Sequence, residues 1–241
     1  MLNKIIVCEK EYSIDEKIAN ILDVLVHIKT TQNNSLTFKY GCKSGVCGSC
    51  AVVVDGIEQL ACTSSIKNET TDIKPLRNLE VIRDLVVDDS NLEVKLVQAK
   101  ASLEEYTDVT VSQNDVDKID LQSNCILCNS CYSSCPVYEV NKDFIGPFAL
   151  ARAYRYINDN KEANTKEKYD AIQTNGIWDC TLCGACSLVC PANIDIKNDI
   201  MKLQNLSVQN GYENPAFSSS GDDMFGGFDS GADFGFNPNG F

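Results

Sequence analysis

Two stretches of this chain repeat one cysteine pattern: Cys125, Cys128, Cys131 and Cys135 before Pro136, and Cys180, Cys183, Cys186 and Cys190 before Pro191. Each reads C-x2-C-x2-C-x3-C-P, an internal repeat of thiols at fixed spacing. A third group, Cys42, Cys47, Cys50 and Cys62, follows C-x4-C-x2-C…C instead. These groups account for 12 of the 13 cysteines, and the single histidine is His27. One histidine excludes His-rich zinc sites, bis-His haem and a two-His Rieske centre as organising features. The opening MLNKIIVCEK has no apolar stretch long enough for a secretory signal, and no apolar run reaches the ~18 residues that cross a bilayer. In a chain read as unsecreted, so many thiols point to metal ligation rather than disulfides.

The C-x4-C-x2-C…C group has the spacing of a plant-type [2Fe–2S] cluster. Gly41, Gly45 and Gly48 let the backbone wrap tightly and aim N–H groups at the sulfurs. Such donors, with shielding from water, set the reduction potential. A zinc ion would also explain four thiolates, but zinc motifs usually come as two short knuckles rather than one long loop. The two repeated runs match bacterial two-cluster ferredoxins, in which the fourth cysteine of each run ligates the other cluster. The expected sets are therefore Cys125, Cys128, Cys131 with Cys190, and Cys180, Cys183, Cys186 with Cys135. Cross-stitching of this kind makes metal binding a large part of the folding energy. Two structural zinc ions are the plainer alternative. The leftover Cys8 reads as a small buried apolar residue on a strand.

Residues 1–90 alternate strands with one helix. Residues 5–7, 36–38 and 51–54 read as strands, and Asp55-Gly56 ahead of Ile57 as a hairpin turn. Ile18, Ile21, Leu22, Leu25 and Ile28 recur at helical spacing, with Ser13 and Glu16 as one possible cap and Asn20 as another. His27 on this helix is expected to be a surface or partly packed residue. From 91 to 212 no strands are expected. Leu92, Leu96, Leu103 and Ile119 suggest helices, and residues 146–157 form one with Pro147 in its first turn. The expected fold class is α+β: an N-terminal β-grasp [2Fe–2S] ferredoxin domain, then an all-α two-cluster ferredoxin domain. Residues 213–241, rich in Phe, Gly and Asp, cannot offset their ordering entropy by burial and are expected to be disordered. With 34 acidic against 21 basic residues the formal charge is −13, which argues against a nucleic-acid partner.

This arrangement resembles the iron–sulfur subunit of succinate dehydrogenases and fumarate reductases, over roughly residues 4–205. The likeness extends to stretches that ligation does not need. They are Ile73-Lys74-Pro75-Leu76, Val81-Ile82-Arg83-Asp84-Leu85-Val86-Val87-Asp88, Phe144-Ile145-Gly146-Pro147 with its helix, and Asn175-Gly176-Ile177-Trp178. The resemblance implies a wire. An FAD-containing partner subunit interconverts succinate and fumarate. Electrons then run through the [2Fe–2S], a [4Fe–4S] and a third cluster towards a quinone, which is reached through a membrane anchor or a Cys-Cys-Gly-domain subunit. No dicarboxylate site is visible in this chain, so catalysis is expected on its partner.

Cys183 stands where most members of that family carry a non-cysteine residue and hold [3Fe–4S]. Its presence implies [4Fe–4S] as the third cluster. Quinone-binding members also carry tryptophans after the fourth cysteine of the first run, and a histidine after the first cysteine of the second. Here Val137, Tyr138, Glu139 and Val140, and Thr181, stand there, so no quinone pocket of its own is expected. Both departures resemble the atypical branch that includes methylmenaquinol:fumarate reductase. The segment before the first helix is shorter than usual, which implies a trimmed first hairpin. The expected location is peripheral to a prokaryotic inner membrane through partners, on the cytoplasmic face, or on the periplasmic face if co-exported with a signal-bearing partner. A thiol-linked fumarate reductase subunit is the same-architecture alternative, and a free polyferredoxin is the alternative of another class.

Overall fold

Short runs that alternate buried and exposed side chains build the first half of the chain into a mixed sheet. The computed structural model describes residues 3–14 and 18–218. The strands are β1 (Asn3–Val7), β2 (Lys10–Ile14), β3 (Ala51–Val54), β4 (Ile57–Leu60) and β5 (Thr70–Lys74), in the order β2-β1-β5-β3-β4. Only β1 and β5 run parallel. A separate ribbon pairs β6 (Val81–Arg83) with β7 (Val86–Val87). Helix α1 (Ile21–Thr31) buries Ile21, Leu22, Val24, Leu25 and Ile28 in one core with Ile5, Val7, Val52, Val54 and Ile73 of the sheet. This is the expected β-grasp arrangement, with the cysteine loop running between α1 and β3.

Four local readings change. Asn20 caps α1 by accepting from the Asp23 N–H at 2.9 Å, whereas Ser13 lies on β2 and Glu16 falls outside the described residues. Ile18 packs on the core from outside the helix, so its helical spacing is coincidental. Residues 36–38 form no strand: the Thr37 N–H donates to Asp84 Oδ2 at 2.8 Å, and the Thr37 carbonyl accepts from the Leu85 N–H. These side-chain and loop partners replace a ladder. Cys8 is not in a strand core but shares the two-residue β1–β2 turn with Glu9, both at positive φ (47° and 69°), and is half-buried. His27 is half-buried on α1.

The second half is helical: α2 (Asn91–Gln98), α3 (Gln113–Asp117), α4 (Asp120–Ser123), α5 (Ser130–Ser133), α6 (Pro136–Val140), α7 (Pro147–Ile157), α8 (Thr165–Ala171), α9 (Ala185–Leu188), α10 (Ile196–Gln209) and α11 (Pro215–Ser218). Among the described residues, only an isolated bridge, Tyr106 with Glu162, interrupts it. Helix α7 starts at Pro147, one residue after the expected start, with Gly146 as its cap, and it packs on α10 around Tyr132, Phe144, Phe148, Leu150, Ile200 and Leu203. Leu103 lies in coil and Ile119 caps α4. Gly146 has φ +90°, and any Cβ there would sit on the Tyr132 ring, whose hydroxyl donates to the Ile145 carbonyl. Of the tail expected to be disordered, residues 215–218 form a helical turn and residues 219–241 lie outside the described residues.

Buried polar groups tie the segments together. Lys168 and Glu162 pair at 3.0 Å with both side chains out of water. Lys168 also donates to the carbonyls of Lys100 and Ser102, and Glu162 accepts the amides of Glu104, Glu105 and Asn164, so the charges are satisfied. Between the two halves, buried Glu58 on β4 accepts from Arg77 (Nη2 2.6 Å, Nε 3.1 Å) and from Ser133 Oγ (2.7 Å). The Arg77 N–H donates to Ser133 Oγ, and Asn78 Nδ2 to the carbonyls of Tyr132, Ser133 and Cys135.

One buried acid is not satisfied. Asp199 accepts from Gln122 Nε2 at 2.8 Å through Oδ1, its Oδ2 has no partner, and burial pushes its carboxyl up to about 6. The unfolded chain loses this proton first, so the contribution lowers stability as pH rises from roughly 4 to 6. Asp199→Asn is expected to remove that slope and to raise stability near neutral pH by on the order of 1–3 kcal/mol. Anaerobic denaturant titrations at about pH 5 and 7.5 check it, and an unchanged slope would contradict it.

Candidate functional site

The loop over residues 41–50 wraps through three left-handed positions, Lys43 (φ 59°), Gly45 (78°) and Gly48 (74°). The turns aim amides at sulfur: Ser44 and Val46 N–H groups donate to Cys42 Sγ, and the Cys42 N–H donates to Cys47 Sγ, each at 3.4 Å. The Ser44 amide first, then the Ser44 hydroxyl, the Val46 amide and the Cys47 thiol, hold the Cys42 thiol down to about 6. Cys42 and Cys47 are exposed, whereas Cys50 and Cys62 are buried. Burial pushes the Cys50 thiol up to about 11, and the Cys62 and Cys47 thiols are its neighbours. The four thiols of this group are thus gathered at one end of the sheet.

The two repeated runs share a backbone. Leu127 and Leu182, at equivalent places, have φ 53° and 54°, and the next equivalent pair, Asn129 and Gly184, have φ 63° and 82°. A leucine rarely accepts this region. Here it turns the Leu182 N–H towards Cys180 Sγ (3.4 Å), and the Leu127 N–H likewise bonds Cys125. Cys135, at the start of α6, accepts from the Tyr138 N–H at 3.4 Å. The Cys128 thiol and Ser130 Oγ are 3.3 Å apart. When Cys128 is a thiolate, Ser130 is the donor.

Grouping in space crosses the runs. Cys190 acts electrostatically on Cys125, Cys128 and Cys131. Cys135 has Cys183 as a neighbour, Cys180 feels Cys135 and Cys183, and Cys186 feels Cys180, Cys135 and Cys183. Cys125, Cys128, Cys131 and Cys190 line one small apolar cavity with Phe148, Ala151, Ile194 and Ile196. Cys131 also feels Cys186, so the two groups adjoin. Cys8 joins none of them; its charged neighbours are Asp84, Asp72, Lys10 and Glu9.

The donor set matches an inorganic cationic core. All 13 cysteines are free of disulfides. Burial, and then the neighbouring thiols, raise the thiols of Cys131 and, to about 12, of Cys186. Thiolates packed this way need positive charge among them. Arg152 supplies some beside Cys125. Among the described residues no three or more His, Cys, Asp or Glu side chains converge on a point for a lone metal ion. Thiols arrayed on a core of several atoms need no such point.

Some contributors escape sequence reasoning. Ser130 had a signal, a hydroxyl between two thiols of one run. The Glu58–Arg77–Ser133 clamp had none, because its members are remote in the chain.

Comparison with known proteins gives a consistent picture. A family described as a 2Fe-2S iron–sulfur cluster binding domain matches residues 5–94, and one described as a 4Fe-4S dicluster domain matches residues 122–194. The chain is 34% identical over 195 residues to the fumarate reductase iron–sulfur subunit of Mycobacterium tuberculosis, across 76% of this chain and 79% of the relative. It is 34% identical over 213 residues to the mitochondrial succinate dehydrogenase (ubiquinone) iron–sulfur subunit 1 of Oryza sativa subsp. japonica, across 83% and 76%. Identity to the 8-methylmenaquinol:fumarate reductase iron–sulfur subunit of Wolinella succinogenes is 32% over 212 residues, across 82% and 66%. A chain from the Mycobacterium smegmatis Sdh1 complex in the apo form shares the fold at TM-score 0.78 and 22% identity, across 88% and 98%.

If Cys128 ligates a cluster, Ser130→Ala removes one donor to its sulfur and is expected to lower the reduction potential of that centre. The loss of about 1 kcal/mol corresponds to on the order of 40 mV for one electron. Potentiometric EPR titration reads the shift, and an unchanged midpoint would contradict it.

Proposed function

The chain belongs to the iron–sulfur subunits of fumarate reductases and succinate dehydrogenases, the electron-transfer components of these oxidoreductase complexes. From that premise we propose that it carries electrons between a partner flavoprotein, where succinate and fumarate interconvert on FAD, and a quinone-linked subunit at the membrane. The observation that carries this reading is the succession of thiol groups: the 41–50 loop touches the first run at Cys128, and the first run adjoins the second at Cys131 and Cys186.

The proposed ligands are Cys42, Cys47, Cys50 and Cys62 for a [2Fe–2S] cluster, and Cys125, Cys128, Cys131 and Cys190 for a [4Fe–4S] cluster. Cys180, Cys183, Cys186 and Cys135 take the third, which we read as [4Fe–4S] because Cys183 completes its motif. When bound, such clusters supply one-electron redox chemistry. The protein's part is positional and electrostatic. Amides of Ser44, Val46, Leu182 and Tyr138 hold sulfur lone pairs in place. Phe148, Ile194 and Ile196 keep water from the middle group. No described helix is long and apolar enough to cross a membrane, in keeping with attachment through partners. Beside the third group, Val140 and Leu188 are 85% and 87% exposed. They suit a face covered by a membrane anchor or a Cys-Cys-Gly-domain subunit.

A complex captured anaerobically through this chain is expected to contain a flavoprotein and to reduce fumarate with a reduced dye. Intact clusters with other partners and no fumarate reduction would contradict the assignment. For the third cluster, EPR of air-free oxidised protein is expected to lack a three-iron signal, and the presence of that signal would overturn the four-iron reading.

A further inference from the structure

The 41–50 loop has two sides. Lys43, Ser44, Val46, Cys47 and Ser49 are exposed, but Gly48 between them is buried. At φ +74°, a Cβ on Gly48 would lie 2.8 Å from Cys128 Cβ, 2.9 Å from the Ile126 carbonyl oxygen and 3.1 Å from Cys128 Cα. The backbone between Cys47 and Cys50 therefore rests directly on the backbone of the first ferredoxin run. Beside this contact the two halves part around a cleft of about 280 Å³, lined by Lys39, Leu76, Leu85 and Leu92 among others. The contact is thus a narrow bridge. The Glu58–Arg77–Ser133 clamp pins the same two halves from the sheet side.

We propose that Gly48 is a positioning residue for electron transfer, its missing side chain allowing the [2Fe–2S] loop to touch Cys128, which is the ligand through which the middle centre exchanges electrons with the first. The proposal rests on the ligand sets given above. One electron is lost by one centre and gained by the other, no bond forms or breaks, and no proton is required. The dicarboxylate reaction of the complex supplies or consumes the electron. Tunnelling falls exponentially with the gap, so a direct backbone contact outweighs any route across the cleft. Every atom that a side chain at residue 48 would displace is backbone or Cβ, so the loop and not a rotamer would have to retreat.

The same loop contains a matched control. Gly45 has φ +78°, and a Cβ there would meet Thr63 Cγ2 at 2.9 Å, within the N-terminal half. Gly45→Ala strains the loop without widening the bridge.

The test uses the full chain with its clusters loaded anaerobically. It reads the magnetic relaxation enhancement between the two reduced centres, and the rate at which an electron delivered by flash photoreduction equilibrates between them. Midpoints are titrated in parallel. Gly48→Ala is expected to slow equilibration on the order of tenfold and to weaken the enhancement, beyond what any change in the titrated midpoints accounts for. Gly45→Ala is expected to keep the inter-centre coupling, whatever it costs in stability. Equal behaviour of the two variants would overturn the proposal. If Gly48→Ala does not load, Glu58→Leu decides, since it releases the clamp at Ser133 and alters neither the 41–50 loop nor residues 126–128: weaker coupling supports the proposal and wild-type coupling overturns it. A wild-type chain lacking the signal of either centre would show instead that the ligand sets beneath the proposal are wrong, and the proposal falls with them.

Discussion

Thiols held out of water are the constraint on which the helical half depends. Cys131, Cys135 and Cys186 are buried, and desolvation together with neighbouring thiols disfavours their charged forms. In the proposed ligation a cationic core reverses that penalty and makes each buried sulfur a cross-link. The local elements could not stand without it. Helices α4, α5 and α9 have four residues each, below the length at which a helix holds itself. The left-handed leucines 127 and 182 add strain of their own. Pairing of the fourth cysteine of each run with the other run then binds α5 to α9, and with them α7 to α10.

The junction between the halves follows a second rule, that close approach needs a missing side chain and a satisfied charge. Gly48 provides the first and Glu58 the second. Glu58 is almost wholly out of water, but Arg77 answers it within its own half and Ser133 from the other, so the buried carboxylate specifies a register between domains. Both features lie within a few residues of proposed ligands. Cluster geometry and domain geometry are therefore coupled.

Much of this was legible in the residues themselves. The cysteine spacing marked every thiol that the structure gathers, and the stretch opening at Gly146-Pro147 marked α7 to within one residue. Asp55-Gly56 marked the turn between β3 and β4. The failures have physical causes. Leu36 and Phe38 alternate like a strand, but the backbone partners of Thr37 between them are a side chain and a loop. Thr70–Lys74 is short and polar, yet it pairs with both β1 and β3 in the middle of the sheet, because its placement comes from long-range pairing. Cys8 looked like the end of a strand, and the turn that uses it is set by the register of β1 on β2. Gly48 and Glu58 act across the chain, where local pattern carries no signal.

In the proposed ligation, metal–thiolate bonding organises the helical half. Hydrogen exchange, measured on the loaded chain and again after anaerobic iron chelation, tests it most directly. Amide protection in α7 (Pro147–Ile157) and α10 (Ile196–Gln209) is expected to collapse once iron is removed. Protection of both helices that survives iron removal would contradict it.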